Sequence, residues 1–157
     1  MPTRTASKSR SESRNQDKVW SEVERAAAKE TARERKRQAK RGPAEERAEG
    51  EAEVQAKIGE MPAEDQRIAT RIHEIIGKEA PAFVPRTFYG MPAYAKDGKV
   101  VCFFQSKAKF KVRYSTFGFQ PDAPIDDGEM WPVAFAVTEL NPRVETRITE
   151  LVRKAAS

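Results

Sequence analysis

Residues 87–94 read Thr-Phe-Tyr-Gly-Met-Pro-Ala-Tyr, and at this stretch the sequence changes character. Strong helix formers dominate the chain before it, and short apolar runs separated by turn residues follow it. Just beyond it, Asp97-Gly98 predicts a two-residue β-hairpin turn, because both central positions of such a turn take a positive φ. The sequence therefore predicts helices before this stretch and a sheet built from hairpins after it.

The apolar pattern around and after this stretch predicts an antiparallel sheet. Residues 99–105 are apolar on both faces, which is typical of a central strand. Residues 109–116 alternate with a period of two, which indicates a half-buried strand. The predicted strands are residues 86–88, 93–96, 99–105, 109–116 and 131–138, the last of them buried, with a turn or bend at residues 90–92 and a hairpin about residues 106–108.

Two amphipathic helices are expected to flank the sheet. Before it, isoleucines recur at i, i+4, i+7 and i+8 from Ile68 to Ile76, which is one face of a helix. After it, Asn141-Pro142 predicts a helix start with asparagine as the N-cap. The expected fold class is α+β: an antiparallel β-sheet with helices packed on it, preceded by a charged N-terminal helical extension.

The charge divides the chain. Residues 1–57 hold 15 Lys and Arg against 11 Asp and Glu, whereas residues 58–157 hold 14 against 13. The first part also has few apolar residues, so it cannot bury enough surface to fold alone. We predict a disordered basic tail at residues 1–16, a charged helical extension at residues 17–57 and an α+β domain at residues 58–157.

The single cysteine, Cys102, excludes an internal disulfide and is expected to be a small core residue, since it lies in the run Val-Val-Cys-Phe-Phe. No apolar run is long enough for a transmembrane helix, and the N-terminus lacks the apolar stretch of a secretory signal. A cytoplasmic protein with no membrane partner is the expectation.

The tetrapeptide Tyr89-Gly90-Met91-Pro92, followed by the hairpin strands, resembles the motif of the YdhG-like family of small bacterial domains of unknown function. The resemblance spans roughly residues 61–154. Some members of that family have been described as frataxin-like iron chaperones, so the resemblance implies iron handling. Frataxin-like proteins are generally acidic, whereas this chain carries a net charge of +5.

The central stretch is the first candidate site. Its aromatic and thioether side chains, together with a downstream tryptophan, have the composition of a small-ligand pocket with phenol groups as polar handles. The candidate ligand-binding residues are Tyr89, Met91, Tyr94 and Trp131. The alternative is that these side chains belong to the rim and core around a Gly-Pro bend.

An acidic loop is the second candidate. Clustered carboxylates suit hard cations, as the iron-chaperone resemblance would require. The candidate metal ligands are Asp122, Asp126, Asp127 and Glu129. The alternative is a solvated acidic loop, since the spacing matches no known metal loop and no histidine or cysteine lies nearby.

The basic extension is the third candidate. Lysine and arginine side chains can contact phosphates and release counterions, which gives salt-dependent affinity. The candidate nucleic-acid residues are Arg33, Arg35, Lys36 and Arg37, and a second basic strip is predicted on the strand at residues 107–113. Interleaved acids and the lack of aromatics for stacking favour the alternative of a solvated helical extension.

Enzyme signatures are absent from the sequence: no nucleophile-and-base spacing, phosphate-binding glycine loop or metal-ligand pattern occurs. The lone histidine, His73, lies at the edge of the isoleucine face and is expected to be a boundary residue. We therefore expect a non-enzymatic small-ligand or metal-binding domain of the YdhG-like type, for which the family resemblance implies the role of an iron chaperone. The alternative is a nucleic-acid or ribonucleoprotein accessory that binds through the basic extension.

Overall fold

A computed structural model describes residues 7–157, with side chains described from Glu22 onward. It contains five helices in that range: α1 (Ser7–Gln38), α2 (Pro43–Gly59), α3 (Ala63–Glu79), α4 (Lys107–Phe110) and α5 (Pro142–Ala156). It contains five strands: β1 (Val84–Phe88), β2 (Met91–Lys96), β3 (Lys99–Gln105), β4 (Ser115–Phe119) and β5 (Ala134–Val137). The strands form one antiparallel sheet in sequence order. The fold is α+β, as predicted.

Two tight turns build the first three strands. Asp97-Gly98 joins β2 to β3 with φ values of 52° and 77°, which confirms the predicted hairpin. Tyr89-Gly90 joins β1 to β2 in the same way, with φ values of 52° and 73°. The turn predicted at residues 90–92 is therefore placed too late, and Pro92 lies within β2. Its missing N–H is not needed for the ladder with β3, because that register begins at Ala93.

The strand predicted at residues 109–116 is correct only for residues 115–116, which begin β4, and the hairpin predicted about residues 106–108 is wrong. The chain forms α4 here, leaves it through Lys111 at φ 54°, and enters β4 only at Ser115. Buried Asp65 on α3 accepts hydrogen bonds from the hydroxyls of Ser106 (2.7 Å) and Ser115 (3.2 Å), which fixes the two ends of this connection. The basic strip expected on one strand face therefore does not form.

The last strand is shorter and less buried than predicted. β5 pairs only with β4 and is the edge of the sheet, so Ala134 and Ala136 are exposed and Val137 is buried. Val133, which was expected within this strand, is 49% exposed and precedes it. The strand prediction is correct for residues 134–137, and the expectation that residues 131–138 are buried is wrong for most of them.

One hydrophobic core joins the sheet to three helices. The predicted isoleucine face of α3 is buried, and so are apolar residues of α5. The α5 residues are Ile148, Leu151, Val152 and Ala155. The Asn141 side chain caps α5 by accepting a hydrogen bond from the Val144 amide at 2.9 Å, as predicted. Cys102 is fully buried, and burial raises the pKa of its thiol well above the usual value.

The third helix of this core is α2, so the boundary predicted between residues 57 and 58 does not separate two units. Val54 and Ile58 are buried in the same core as α3 and α5. Gly50 brings α2 against the sheet edge, where a Cβ at this position would overlap the Pro85 carbonyl oxygen. An otherwise charged helix thus docks on the core with one apolar pair and on β1 with one glycine.

Helix α1 begins at Ser7, earlier than the predicted start at Asp17. Residues 1–6 of the predicted tail lie outside the described residues. No helix within residues 7–157 combines the length and the apolar composition that crossing a bilayer requires.

Candidate nucleic-acid interface

The inner face of α1 covers the edge strand β1. Gln38 donates a hydrogen bond from Nε2 to the Thr87 carbonyl oxygen at 3.2 Å. The Glu34 carboxylate accepts a hydrogen bond from the Gly90 amide at 2.8 Å, at the tip of the β1–β2 hairpin. These bonds satisfy backbone groups that an uncovered edge would present to other chains. They also fix which side of α1 faces the sheet.

Both acidic residues between positions 25 and 40 lie on this inner side. Glu34 is only 2% exposed. Glu30 is held between Lys57 (2.5 Å) and Lys109 (2.9 Å). Burial acts to raise the pKa of Glu30, but its hydrogen bonds and ion pairs with the two lysines outweigh this and keep the pKa below the usual value. Lys109 also donates to the Gly90 carbonyl oxygen at 3.3 Å.

The net pKa shift of Glu34 has the opposite direction. Burial raises the pKa of this carboxyl above the usual value, although the Gly90 amide and the Thr87 hydroxyl act to lower it. Glu34 is thus a sheet-facing group and adds no charge to the outer surface of α1.

The outer face of α1 is uniformly basic between positions 25 and 40. All the lysines and arginines in this span are exposed: Arg25, Lys29, Arg33, Arg35, Lys36, Arg37 and Lys40. At about 100° per residue, the five of them within α1 other than Arg35 fall within an arc of about 120° that begins opposite Glu34 and ends at Arg37, next to Glu30, and Lys40 lies in the turn after the helix. The four predicted nucleic-acid residues are therefore all on the surface. Of the two acids that interleave with them in sequence, Glu34 is buried against the sheet, and Glu30, at the margin of the arc, is paired with Lys57 and Lys109.

A groove of about 490 Å³ separates α1 from α2 at the margin of this basic face. Its lining includes Lys29, Glu30, Arg33, Arg37, Glu53, Lys57 and Thr87. Glu53 is paired with Arg41, whose side chain is only 5% exposed, and lies 3.9 Å from Arg37. The groove is therefore lined by both cations and carboxylates from the two helices, together with Thr87 of β1.

The predicted aromatic pocket does not form. Tyr94 is 1% exposed in the main core, and Met91 is also buried. Tyr89 packs edge-on against Phe88 with ring centroids 4.6 Å apart. Trp131 lines a separate cavity of about 130 Å³ with residues of the downstream loop and α5. The alternative, that these side chains belong to the rim and core, describes their positions. Tyr94 and Met91 are buried and therefore do not line an open pocket.

His73 belongs to a polar chain that the sequence did not reveal. Its Nδ1 lies 2.9 Å from the Tyr94 hydroxyl and its Nε2 lies 2.6 Å from a Glu51 carboxylate oxygen. The Glu51 carboxylate needs a donor, so neutral His73 carries its proton on Nε2. The unprotonated Nδ1 then accepts a hydrogen bond from the Tyr94 hydroxyl. Burial raises the pKa of Tyr94 well above its usual value, which keeps it a hydrogen-bond donor. This chain ties α2 and α3 to β2.

The acidic loop does not converge on a metal site. Its four candidate ligands are exposed, and Asp122 faces Lys99 at 3.7 Å. Across the residues that the structure describes, no group of three or more histidine, cysteine, aspartate and glutamate side chains could hold a metal ion. Iron binding stays a prediction from the family resemblance alone.

These features define an α+β domain whose N-terminal helix covers a sheet edge with one face and presents a basic surface with the other. Comparisons with protein-family models, curated proteins and solved structures found no match for the chain. The YdhG-like resemblance of residues 89–92 therefore stays a prediction.

Proposed function

We propose that the protein binds nucleic acid through the basic outer face of α1, by contacts to phosphates that do not depend on base sequence. The observation that carries this proposal is the segregation of charge on α1. Seven exposed lysine and arginine side chains lie between positions 25 and 40, while Glu30 and Glu34 are engaged on the inner side. Lysine and arginine contacts to phosphates supply most of the affinity of such binding.

The shape of the face suits a phosphate backbone. The span from Arg25 to Lys40 is about 23 Å long at 1.5 Å per residue, and duplex DNA carries one phosphate charge per 1.7 Å of axis. An α-helix also fits the width of the DNA major groove. Residues 22–41 include no aromatic side chain, so this part of the helix offers charge without base stacking. Duplex nucleic acid is the ligand that this combination favours.

The test compares two triple variants of equal charge change. In the outer-face variant, Arg25, Lys36 and Lys40 are replaced by Gln; in the control, Lys78, Lys96 and Arg143, which are exposed elsewhere, are replaced by Gln. Duplex binding is followed by fluorescence anisotropy across a series of salt concentrations. The outer-face variant is expected to reduce the slope of log K against log salt by up to about 2.7, or about 0.9 for each lost contact.

The control variant is expected to bind with the wild-type salt slope. Equal weakening by both variants would mean that only net charge matters and that α1 is not the interface. Duplex binding that does not fall with salt would contradict the proposal outright.

A further inference from the structure

The sheet edge at β5 is open, in contrast to the edge at β1. Within residues 7–157, β5 pairs only with β4, whereas α1 and α2 cover β1. Apart from being short, β5 lacks the usual protection of an edge strand, since it carries no charge, no proline and no bulge. We propose that β5 pairs with β5 of a second copy of this chain, antiparallel and about a twofold axis at Phe135.

The direction of the backbone groups of β5 follows from its pairing with β4. The Phe119 amide donates a hydrogen bond to the Val133 carbonyl oxygen at 2.7 Å. Because hydrogen-bonded pairs alternate along an antiparallel ladder, the odd-numbered residues of β5 direct their backbone groups towards β4. Ala134 and Ala136 direct theirs outward, where no partner lies among the described residues. Two amides and two carbonyls are therefore available to a further strand, and the segment ends at Pro132, which has no amide.

Two copies of this segment are complementary to each other. Directly opposite residues of antiparallel strands lie on the same face of a sheet. An axis at Phe135 places Ala134 opposite Ala136 of the second copy, and both are exposed alanines of the outer face. On the core side it places Phe135 opposite its equivalent and Val133 opposite Val137. Val133 is 49% exposed, so it gains an apolar neighbour in this pairing.

The charges beside this edge also favour a second copy. Phe135 lines a cavity of about 130 Å³ whose rim carries Asp127 and Glu150 together with Arg147 and Lys154. Acids and bases are equal in number here, so each cation can pair with a carboxylate of the other copy. The basic outer face of α1 lies at the opposite edge of the sheet, beyond β1. The two basic faces therefore stay apart when the two five-stranded sheets join.

The first experiment is sedimentation velocity of the full chain over a series of concentrations. Residues 133–137 make a contact at the small end of specific interfaces, so a reversible monomer–dimer equilibrium in the micromolar range is expected. Ala136→Pro removes an outward amide that β4 does not use, and should weaken the dimer at least about tenfold. Ala136→Ser keeps the amide and should leave the dimer unchanged. Circular dichroism verifies that both variants are folded.

A charge at the interface gives a second variant that keeps the backbone intact. Val133→Lys is expected to weaken the dimer, because the lysine lies opposite Val137 of the second copy. Met130→Lys makes the same change of charge at a residue that is 90% exposed and lies beyond Pro132, so it should not weaken the dimer. A chain that is monomeric at every concentration, or equal dimerisation of the two lysine variants, would overturn the proposal.

Cross-linking tests the position of the axis. In a hydrogen-bonded pair such as Ala134 and Ala136 of the second copy, the Cα atoms are about 5.5 Å apart, which a disulfide can span. A mixture of Ala134→Cys and Ala136→Cys chains, oxidised by glutathione disulfide, is expected to form a covalent dimer, whereas neither chain should do so alone. Cys102 is buried and does not compete. Cross-linking of one variant to itself, or none in the mixture, would overturn the axis at Phe135.

Discussion

At the scale of single residues, the structure is most sensitive where a backbone approaches a side-chain position closely. Gly50 of α2 is such a position, because a Cβ there would overlap the Pro85 carbonyl oxygen of β1. Gly77 of α3 offers a contrast, since nothing lies within 4 Å of its added Cβ. Both glycines lie inside helices, so replacement by alanine gives the same gain in intrinsic helix propensity at each.

Gly50→Ala is therefore expected to destabilise the fold by about 1–3 kcal/mol, the usual cost of overpacking. Gly77→Ala is expected to stabilise it by about 1 kcal/mol through helix propensity. Urea unfolding of the two variants and the wild type measures both changes. Stabilisation by both substitutions would mean that α2 is not docked on β1 in the way described.

Glu34 gives the fold a pH dependence of predictable sign. Burial raises the pKa of its carboxyl above the reference value of 4.5 in the folded state. A raised folded pKa means that the folded state binds the proton more tightly, so this group's contribution to stability is complete below pH 4.5 and is lost as the pH rises through the folded pKa.

Glu34→Gln should remove this loss, because an amide stays neutral and can still accept from the Gly90 amide. The free energy of unfolding of the variant should match the wild type in acid and exceed it increasingly as the pH rises towards neutrality. Denaturant titrations across the acidic to neutral range measure the difference. A constant offset at all pH values would contradict the assigned environment of Glu34.

At the scale of elements, local chemistry in the sequence predicted much but not the connection between β3 and β4. The Asp97-Gly98 turn, the Asn141 cap and the isoleucine face of α3 follow from neighbours in sequence, and all three are confirmed. The alternation of residues 109–116 was misleading because Asp65, which is distant in sequence, bonds the hydroxyls of Ser106 and Ser115. A tertiary contact overrode a local pattern.

Asp65→Ala is expected to destabilise the fold by about 2–4 kcal/mol, since two buried hydroxyls lose their charged acceptor. The neighbouring Glu64→Ala is the matched control, because Glu64 makes only an exposed pair with Lys107 at 3.1 Å. That loss should be below about 1 kcal/mol. Thermal and urea unfolding compare the two variants. Equal losses would show that the hydroxyl contacts do not hold this connection.

The basic face of α1 also belongs to this scale. The four candidate residues at positions 33–37 can be predicted from sequence, because each is a lysine or an arginine. The direction of Glu34 could not, since it depends on where the Gly90 amide lies after β1 and β2 have paired. The charges of this surface can therefore be predicted from sequence, but the direction of the acids between them cannot.

At the scale of the whole molecule, the second half of the charged extension shares one hydrophobic core with the α+β domain. The sequence suggested a boundary near residue 57 because α2 has a single apolar pair in a charged helix. That pair, Val54 and Ile58, lies in the main core. Helix α1 then covers the edge of β1 through Gln38 and Glu34, so the two N-terminal helices have different structural roles.

Two truncations separate these roles. A chain of residues 58–157 loses Val54, and with it the burial of the apolar surfaces that α2 covers, at a cost of several kcal/mol. This is comparable with the total stability of an ordinary domain, about 5–15 kcal/mol, so this truncation is expected to be largely unfolded. A chain of residues 42–157 keeps α2 and should fold, but the uncovered edge of β1 is expected to promote association between copies. Circular dichroism and sedimentation velocity distinguish these states; a cooperative, monomeric fold of residues 58–157 would contradict the single core.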